Sequence, residues 1–221
     1  MKGCFIALEG SDGSGKTTVL HGIKERMKTL RLPVEFTREP GGTPIGEKIR
    51  SIILDTTNQE MTARCEALLY AASRAQHTEE KIRPALEKGK ILICDRYVLS
   101  SLAYQGFGRK LGLKAVAEIN AFARNGLLPD MTLFLDVDPV TVLRRKAKTE
   151  TKDRLEEAND SFFEAVYRGY LESMQDMPNV VRIDASQPAE KVLEDAWEAI
   201  CRTLVRHGYC EKRGSTFVEK E

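Results

Sequence analysis

A chain of 221 residues, 42% of them hydrophobic and 30% charged, is long and apolar enough to bury one core without metals or disulfides, so one globular domain is expected. Its 34 basic and 33 acidic residues leave a net charge of +1, which provides no global field for nucleic acid or anionic lipid; any basic site must be local. Five singly scattered cysteines without zinc-type spacing, no cleavable leader in MKGCFIALEG and no apolar run of membrane-spanning length predict a cytoplasmic protein with free thiols.

Apolar runs of strand length recur at 4–8, 34–37, 91–94, 133–137 and 180–183, each followed sooner or later by a stretch of helical period. This alternation predicts an α/β fold of three layers, with a five-stranded parallel sheet flanked by helices. After the first run, Leu20, Ile23, Met27 and Leu30 keep helical spacing until Pro33 stops the helix. Two helical stretches, about 45–54 and 63–87, separate the second and third strands, and Gly89 is a plausible cap of the second. Residues 139–174 are helical in pattern except for RRKAKTETKDR, which is polar, basic and lacks an apolar stripe; a mobile lid at about 144–155 is expected there. A last amphipathic helix at about 189–205 precedes the polar segment GYCEKRGSTFVEKE, which is expected to fray. One domain over 1–208 with a tail at 209–221 follows.

The segment GSDGSGKT at 10–17 fits G-x-x-x-x-G-K-[ST] and lies between a strand and an amphipathic helix, as that motif requires. Its glycines let backbone amides turn around phosphate oxygens above the positive end of the helix dipole. Gly10, Ser11, Asp12, Gly13, Ser14, Gly15, Lys16, Thr17 and the following Thr18 therefore form the candidate nucleotide cradle. Lys16 would reach the β- and γ-phosphates, and the Thr17 hydroxyl would ligate Mg2+. Taken alone, the loop says nucleoside triphosphate and no more. The third strand ends in Asp95 and Arg96, at the edge where open α/β sheets put their ligands. Beside a phosphate loop, Asp95 is expected to hold Mg2+, directly or through water, rather than to cap the next helix.

With TREPGGT at 37–43, LLYAASRAQH at 68–77, DRYVLSSLAYQG at 95–106, LDVDP at 135–139 and DRLE at 153–156, the chain resembles the thymidylate kinase family, from the loop to the helix before Met174. The resemblance implies a P-loop nucleoside monophosphate kinase domain that takes ATP and Mg2+ and phosphorylates dTMP. It implies that Arg96 binds the acceptor phosphate, which suits a planar fork of donors, and that Arg38 lies near that phosphate or the transferring group. Tyr70 stands where the family usually has Phe stacked on thymine and keeps the stacking face. Arg74, one turn later, would donate to a thymine carbonyl, while Ser101, Tyr104 and Gln105 would contact base or sugar. Asp12 matches an acidic residue near the deoxyribose 3'-hydroxyl that helps organise magnesium.

Some members place an arginine inside the phosphate loop, but Ser11, Gly13 and Ser14 stand beside Asp12 here. The missing charge is expected from the basic lid of the family's bacterial type: Arg154 as the closing cation and Arg145 next, in contact with adenine. A homodimer packed through long helices is also implied. A kinase of the same scaffold acting on thymidine or dUMP remains the alternative, and a non-catalytic nucleotide switch a further one. A GTPase switch would carry NKxD, and no such motif occurs. His21, His77 and His207 are isolated in sequence and are expected to be structural or exposed.

Overall fold

The strand β1 (Cys4–Glu9) is buried along its whole length, as an apolar run without alternation requires when both faces are covered. It pairs in parallel with β3 (Ile91–Asp95) and β4 (Met131–Asp136). The edges are β2 (Val34–Arg38) and β5 (Val180–Asp184), giving the order β2-β3-β1-β4-β5. The expected five-stranded parallel sheet is therefore present. The protein's computed structural model describes residues 3–146, 160–175, 177–213 and 216–220.

Alternate residues of β1 serve opposite faces. Cys4, Ile6 and Leu8 pack on Val19, Ile23 and Met27 of α1 (Lys16–Thr29) and on Val192, Ala196, Ile200 and Leu204 of a C-terminal helix. Phe5 and Ala7 pack on Leu92, Cys94 and Tyr97.

Between β2 and β3 run α2 (Pro44–Leu54), where Thr43 caps by accepting from the Gly46 N–H at 3.0 Å, and α3 (Ala63–His77), capped by Thr62. The single helix expected over 63–87 is instead broken by a π-helical turn, Thr78–Ile82, before α4 (Arg83–Glu87). Pro84 lacks an N–H and its ring crowds the preceding turn, which a wider turn relieves.

After β3 come α5 (Val98–Ser101), a second π-helical stretch at Leu102–Gly108, and α6 (Leu113–Arg124), a helix missing from the expected order. Then follow α7 (Pro139–Lys146), α8 (Asp160–Ser173) and α9 (Ala189–Arg206). Most of the expected lid falls outside the described residues. The tail also departs from expectation: β6 (Cys210–Arg213) and β7 (Thr216–Glu219) form an antiparallel hairpin. Tyr209 and Cys210 join the main core, and the Tyr209 hydroxyl donates to the Gly89 carbonyl at 2.8 Å. Among the described residues, no helix is long and apolar enough to cross a membrane.

Candidate functional site

The chain leaves β1 at Glu9 and enters α1 at Lys16, so the glycine-rich segment makes the turn between them. Gly13 and Gly15 adopt φ of 82° and 94°, a region that disfavours side chains. A Cβ at Gly10 would lie 2.7 Å from Ser14 Oγ and 3.0 Å from the Leu135 carbonyl. Lys16 folds back on its own loop and donates from Nζ to the Gly10 and Ser11 carbonyls, at 2.9 Å each. Burial first, then the nearby Arg96 charge, lower its pKa to about 8, against the opposing pull of Asp12, Asp95 and Glu9.

Across the loop, β3 ends in Asp95, whose Oδ1 is buried without a hydrogen-bond partner in the structure. An orphaned carboxylate oxygen beside a phosphate loop suits a hard cation, as does the Thr17 hydroxyl lining the same groove. Arg96 follows with φ of 67°, a left-handed turn unusual outside glycine. The turn brings its guanidinium over the loop. Nη1 donates to the Gly10 carbonyl (3.0 Å), Ser100 Oγ (3.0 Å) and the Tyr170 hydroxyl (3.2 Å), and Nη2 pairs with Asp12. The Tyr104 hydroxyl donates to the other Asp12 oxygen at 2.6 Å, so this carboxylate is clamped between a cation and a phenol. Behind them, fully buried Glu9 accepts from the Tyr97 and Ser100 amides at 2.8 and 3.1 Å and from the Ser100 hydroxyl. Burial raises its pKa.

A second set of side chains comes from α3 and its neighbours. Arg74 is 1% exposed; its Nε donates to Glu39 at 2.7 Å and its Nη1 to Ser101 at 3.1 Å and to Asn120. His77 joins the other Glu39 oxygen (2.9 Å) to Thr37 (2.7 Å), a buried structural role in keeping with its isolation in sequence. The Gln105 amide donates to buried Glu66 at 2.9 Å. Arg38, at the end of β2, reaches Glu47 of α2 at 2.8 Å.

Tyr70, Arg74, Arg96, Ser101, Tyr104 and Gln105 line one cleft with Asp12, Glu39, Pro40, Arg50, Leu54, Tyr97 and Ser100. Lys16, Thr17, Arg38 and Asp95 line an adjoining groove with Asp12, Gly13, Gly15, Glu39, Arg50 and Arg96. Asp12, Glu39, Arg50 and Arg96 belong to both, so cleft and groove run into one another. Thr18 faces a further hollow with Ser14 and the Ala185–Gln187 turn. Arg154 lies outside the described residues, and Arg145 belongs to the last turn of α7.

The residues that sequence reasoning missed are Arg50, Glu39, Glu9, Ser100 and Tyr170. Arg50 donates to the Pro40 carbonyl at 3.0 Å; its basic character inside an apolar helical stretch was a usable signal. Glu39 sat in the quoted TREP segment, whereas nothing local marks Tyr170, 160 positions from the Gly10 carbonyl it bonds at 3.2 Å.

Comparison with known proteins adds an independent finding. A family model described as thymidylate kinase matches residues 8–196. The thymidylate kinase of Finegoldia magna is 52% identical over 201 residues, covering 91% of this chain and 99% of that protein. Those of Enterococcus faecalis and Lactobacillus delbrueckii subsp. bulgaricus are 50% and 52% identical, covering 90% and 87% of this chain and 96% and 93% of theirs.

Proposed function

The chain belongs to the thymidylate kinase family, and on that premise we infer that it transfers the γ-phosphoryl group of ATP to dTMP, giving ADP and dTDP. One observation carries the reading beyond the family: the phosphate-loop groove and the arginine-lined cleft are continuous and share Asp12 and Arg96. Phosphoryl transfer asks little covalent chemistry of a protein. Donor and acceptor must be held in line while charge on the moving group is neutralised.

On the donor side, Lys16 would exchange its two loop carbonyls for β- and γ-phosphate oxygens, which pull a partly deprotonated ammonium back to its charged form. On the acceptor side, Arg96 would take the dTMP phosphate, with Arg38 near the transferring group. Tyr70 would stack on thymine, and Arg74, held from behind by Glu39, would read a carbonyl of the base. Ser101, Tyr104 and Gln105 complete the base and sugar contacts, and Asp12 would meet the deoxyribose 3'-hydroxyl. Thr17 and Asp95 would hold Mg2+, which supplies charge neutralisation between the phosphates. No arginine stands in the loop, so Arg154 is assigned as the closing cation, with Arg145 second.

Steady-state assays with dTMP, dUMP and thymidine test the assignment. dTMP should be preferred, because thymidine brings no phosphate for Arg96; faster turnover of thymidine would overturn it. We also propose a cytoplasmic homodimer that engages neither nucleic acid nor membrane. Large apolar side chains exposed on α2, α3 and α6, namely Ile45, Ile52, Leu68 and Phe122, support self-association, and light scattering measures it directly.

A further inference from the structure

The two ends of the Arg96 guanidinium are held differently: Nη2 pairs with the Asp12 carboxylate, while Nη1 sits among neutral oxygens. Nη1 lies within 3.2 Å of three oxygens contributed by three separate elements: the Gly10 carbonyl of the loop, Ser100 Oγ of α5 and the Tyr170 hydroxyl of α8. These partners are bonded among themselves. Tyr170, fully buried, contacts Ser100 Oγ at 2.9 Å and Gly10 O at 3.2 Å, and the Ser100 hydroxyl donates a hydrogen bond to Glu9.

The polarity of this network can be worked out from its ends. Glu9 Oε1 takes two backbone N–H groups and Oε2 takes the Ser100 hydroxyl; these acceptances and the Arg96 charge favour the carboxylate against the burial that raises its pKa, and the relay takes Glu9 as ionised. The Ser100 proton is thereby committed to Glu9, and its lone pairs face Arg96. Tyr170 donates its single proton to Gly10 or to Ser100, and in either case presents a lone pair to Nη1. Nη2, by contrast, pairs with Asp12, and Asp12 and Arg96 both line the cleft.

We propose that Glu9, Ser100 and Tyr170 form a positioning relay that locks Nη1 of Arg96, so that Nη2, paired with Asp12 in the free protein, is the end that exchanges this partner for the acceptor phosphate. None of the three need touch that phosphate. The relay would take the loss of arginine rotamer freedom before substrate arrives, so that less binding energy is lost when dTMP docks. This inference rests on the reading of Arg96 as the acceptor-phosphate arginine.

The test is steady-state kinetics on Tyr170→Phe, Ser100→Ala and Glu9→Gln, with Arg96→Ala as the control for the underlying reading. Tyr170→Phe keeps the ring that packs on Phe134 and Tyr104, so its thermal midpoint should stay near that of the parent. Glu9→Gln keeps the volume but, with its oxygen on the two amides, turns an NH2 toward Ser100 and reverses the hydroxyl. Each variant should raise KM for dTMP about tenfold, the scale of one hydrogen bond to a charged group. KM for ATP should stay within about twofold, because Lys16 and Arg96 still hold the Gly10 carbonyl. The Ser100→Ala/Tyr170→Phe double variant should fall short of the product of the single effects, since both act through one nitrogen.

A rise in KM for ATP equal to that for dTMP would place the effect in the loop and overturn the relay. So would an unchanged KM for dTMP in all three variants while Arg96→Ala raises it. If Arg96→Ala itself leaves KM for dTMP unchanged, the reading of Arg96 falls, and the relay with it.

Discussion

The two halves of the site face each other across one groove and are built on opposite plans. The proposed donor side is a run of consecutive residues whose chemistry is mostly backbone, with the Lys16 side chain bonded back onto the loop itself. The proposed acceptor side has almost no backbone chemistry. It gathers side chains from β2, α2, α3, β3, α5 and the π-helical stretch after it, most of them bonded to one another before any substrate is present. A backbone site offers few side chains to remove, and each one removed should cost much. A side-chain site spreads the work, and single losses should cost less while falling more selectively on KM.

The largest expected effect follows from that contrast. Lys16→Ala should lower kcat/KM by about a thousandfold or more, because Lys16 is the one cation that the phosphate loop at 10–17 itself carries. Arg96→Ala comes next, at about a hundredfold and chiefly in KM for dTMP, since it also strands the Asp12 carboxylate beside an incoming phosphate. If the two losses were equal and both fell on kcat, the division of labour would be wrong. Arg154→Ala should lower kcat by more than about tenfold with KM for dTMP nearly intact, the signature of a contact made only in the transition state. An unchanged kcat would move the closing charge to Arg145 or another lid cation.

The same contrast governs what could be read from sequence. The loop was legible because its function needs fixed residue types at fixed spacing, with a strand before and a helix after. The sheet was legible because strands buried on both faces read as continuous apolar runs. The acceptor pocket has no such local rule. Arg74 and Glu39 are 35 positions apart, and Arg96 and Tyr170 are 74 apart, so only likeness to a family brought Arg74, Ser101 and Gln105 together, and Glu9, Arg50 and Tyr170 stayed hidden. The C-terminal hairpin escaped for a related reason: it depends on Tyr209 meeting the Gly89 carbonyl and the main core, which local pattern does not record.

Acidity offers a milder way to separate the halves. Lys16 has its pKa lowered to about 8, by burial first and then by Arg96. Below that value the free protein presents an ammonium to ATP; above it, binding must first take up a proton. KM for ATP should therefore be flat at lower pH and climb severalfold within about one unit above pH 8, bounded by tenfold per unit. KM for dTMP should not follow, because burial, the largest single influence on the Arg96 charge, is outweighed by Asp12, Tyr104, Tyr170 and Asp95 together, which keep that side chain ionised. Parallel rises in both constants would mean that the two halves share one titration.

The smallest expected effect lies at Tyr70, and it bears on how the acceptor side recognises its base. Tyr70 sits one turn before Arg74 on α3 and lines the cleft, at a position where the family usually carries Phe. Stacking on a base is a property of the ring: its quadrupole and apolar faces are alike in the two residues. Tyr70→Phe should therefore keep kcat and KM for dTMP within about twofold, while Tyr70→Ala, which removes the face, should raise KM about tenfold. A tenfold loss in the Phe variant would show the hydroxyl bonding substrate or a substrate-binding partner. The departure from Phe would then be a determinant of specificity, and the acceptor side would read its base with one more polar group than Arg74, Ser101, Tyr104 and Gln105 provide.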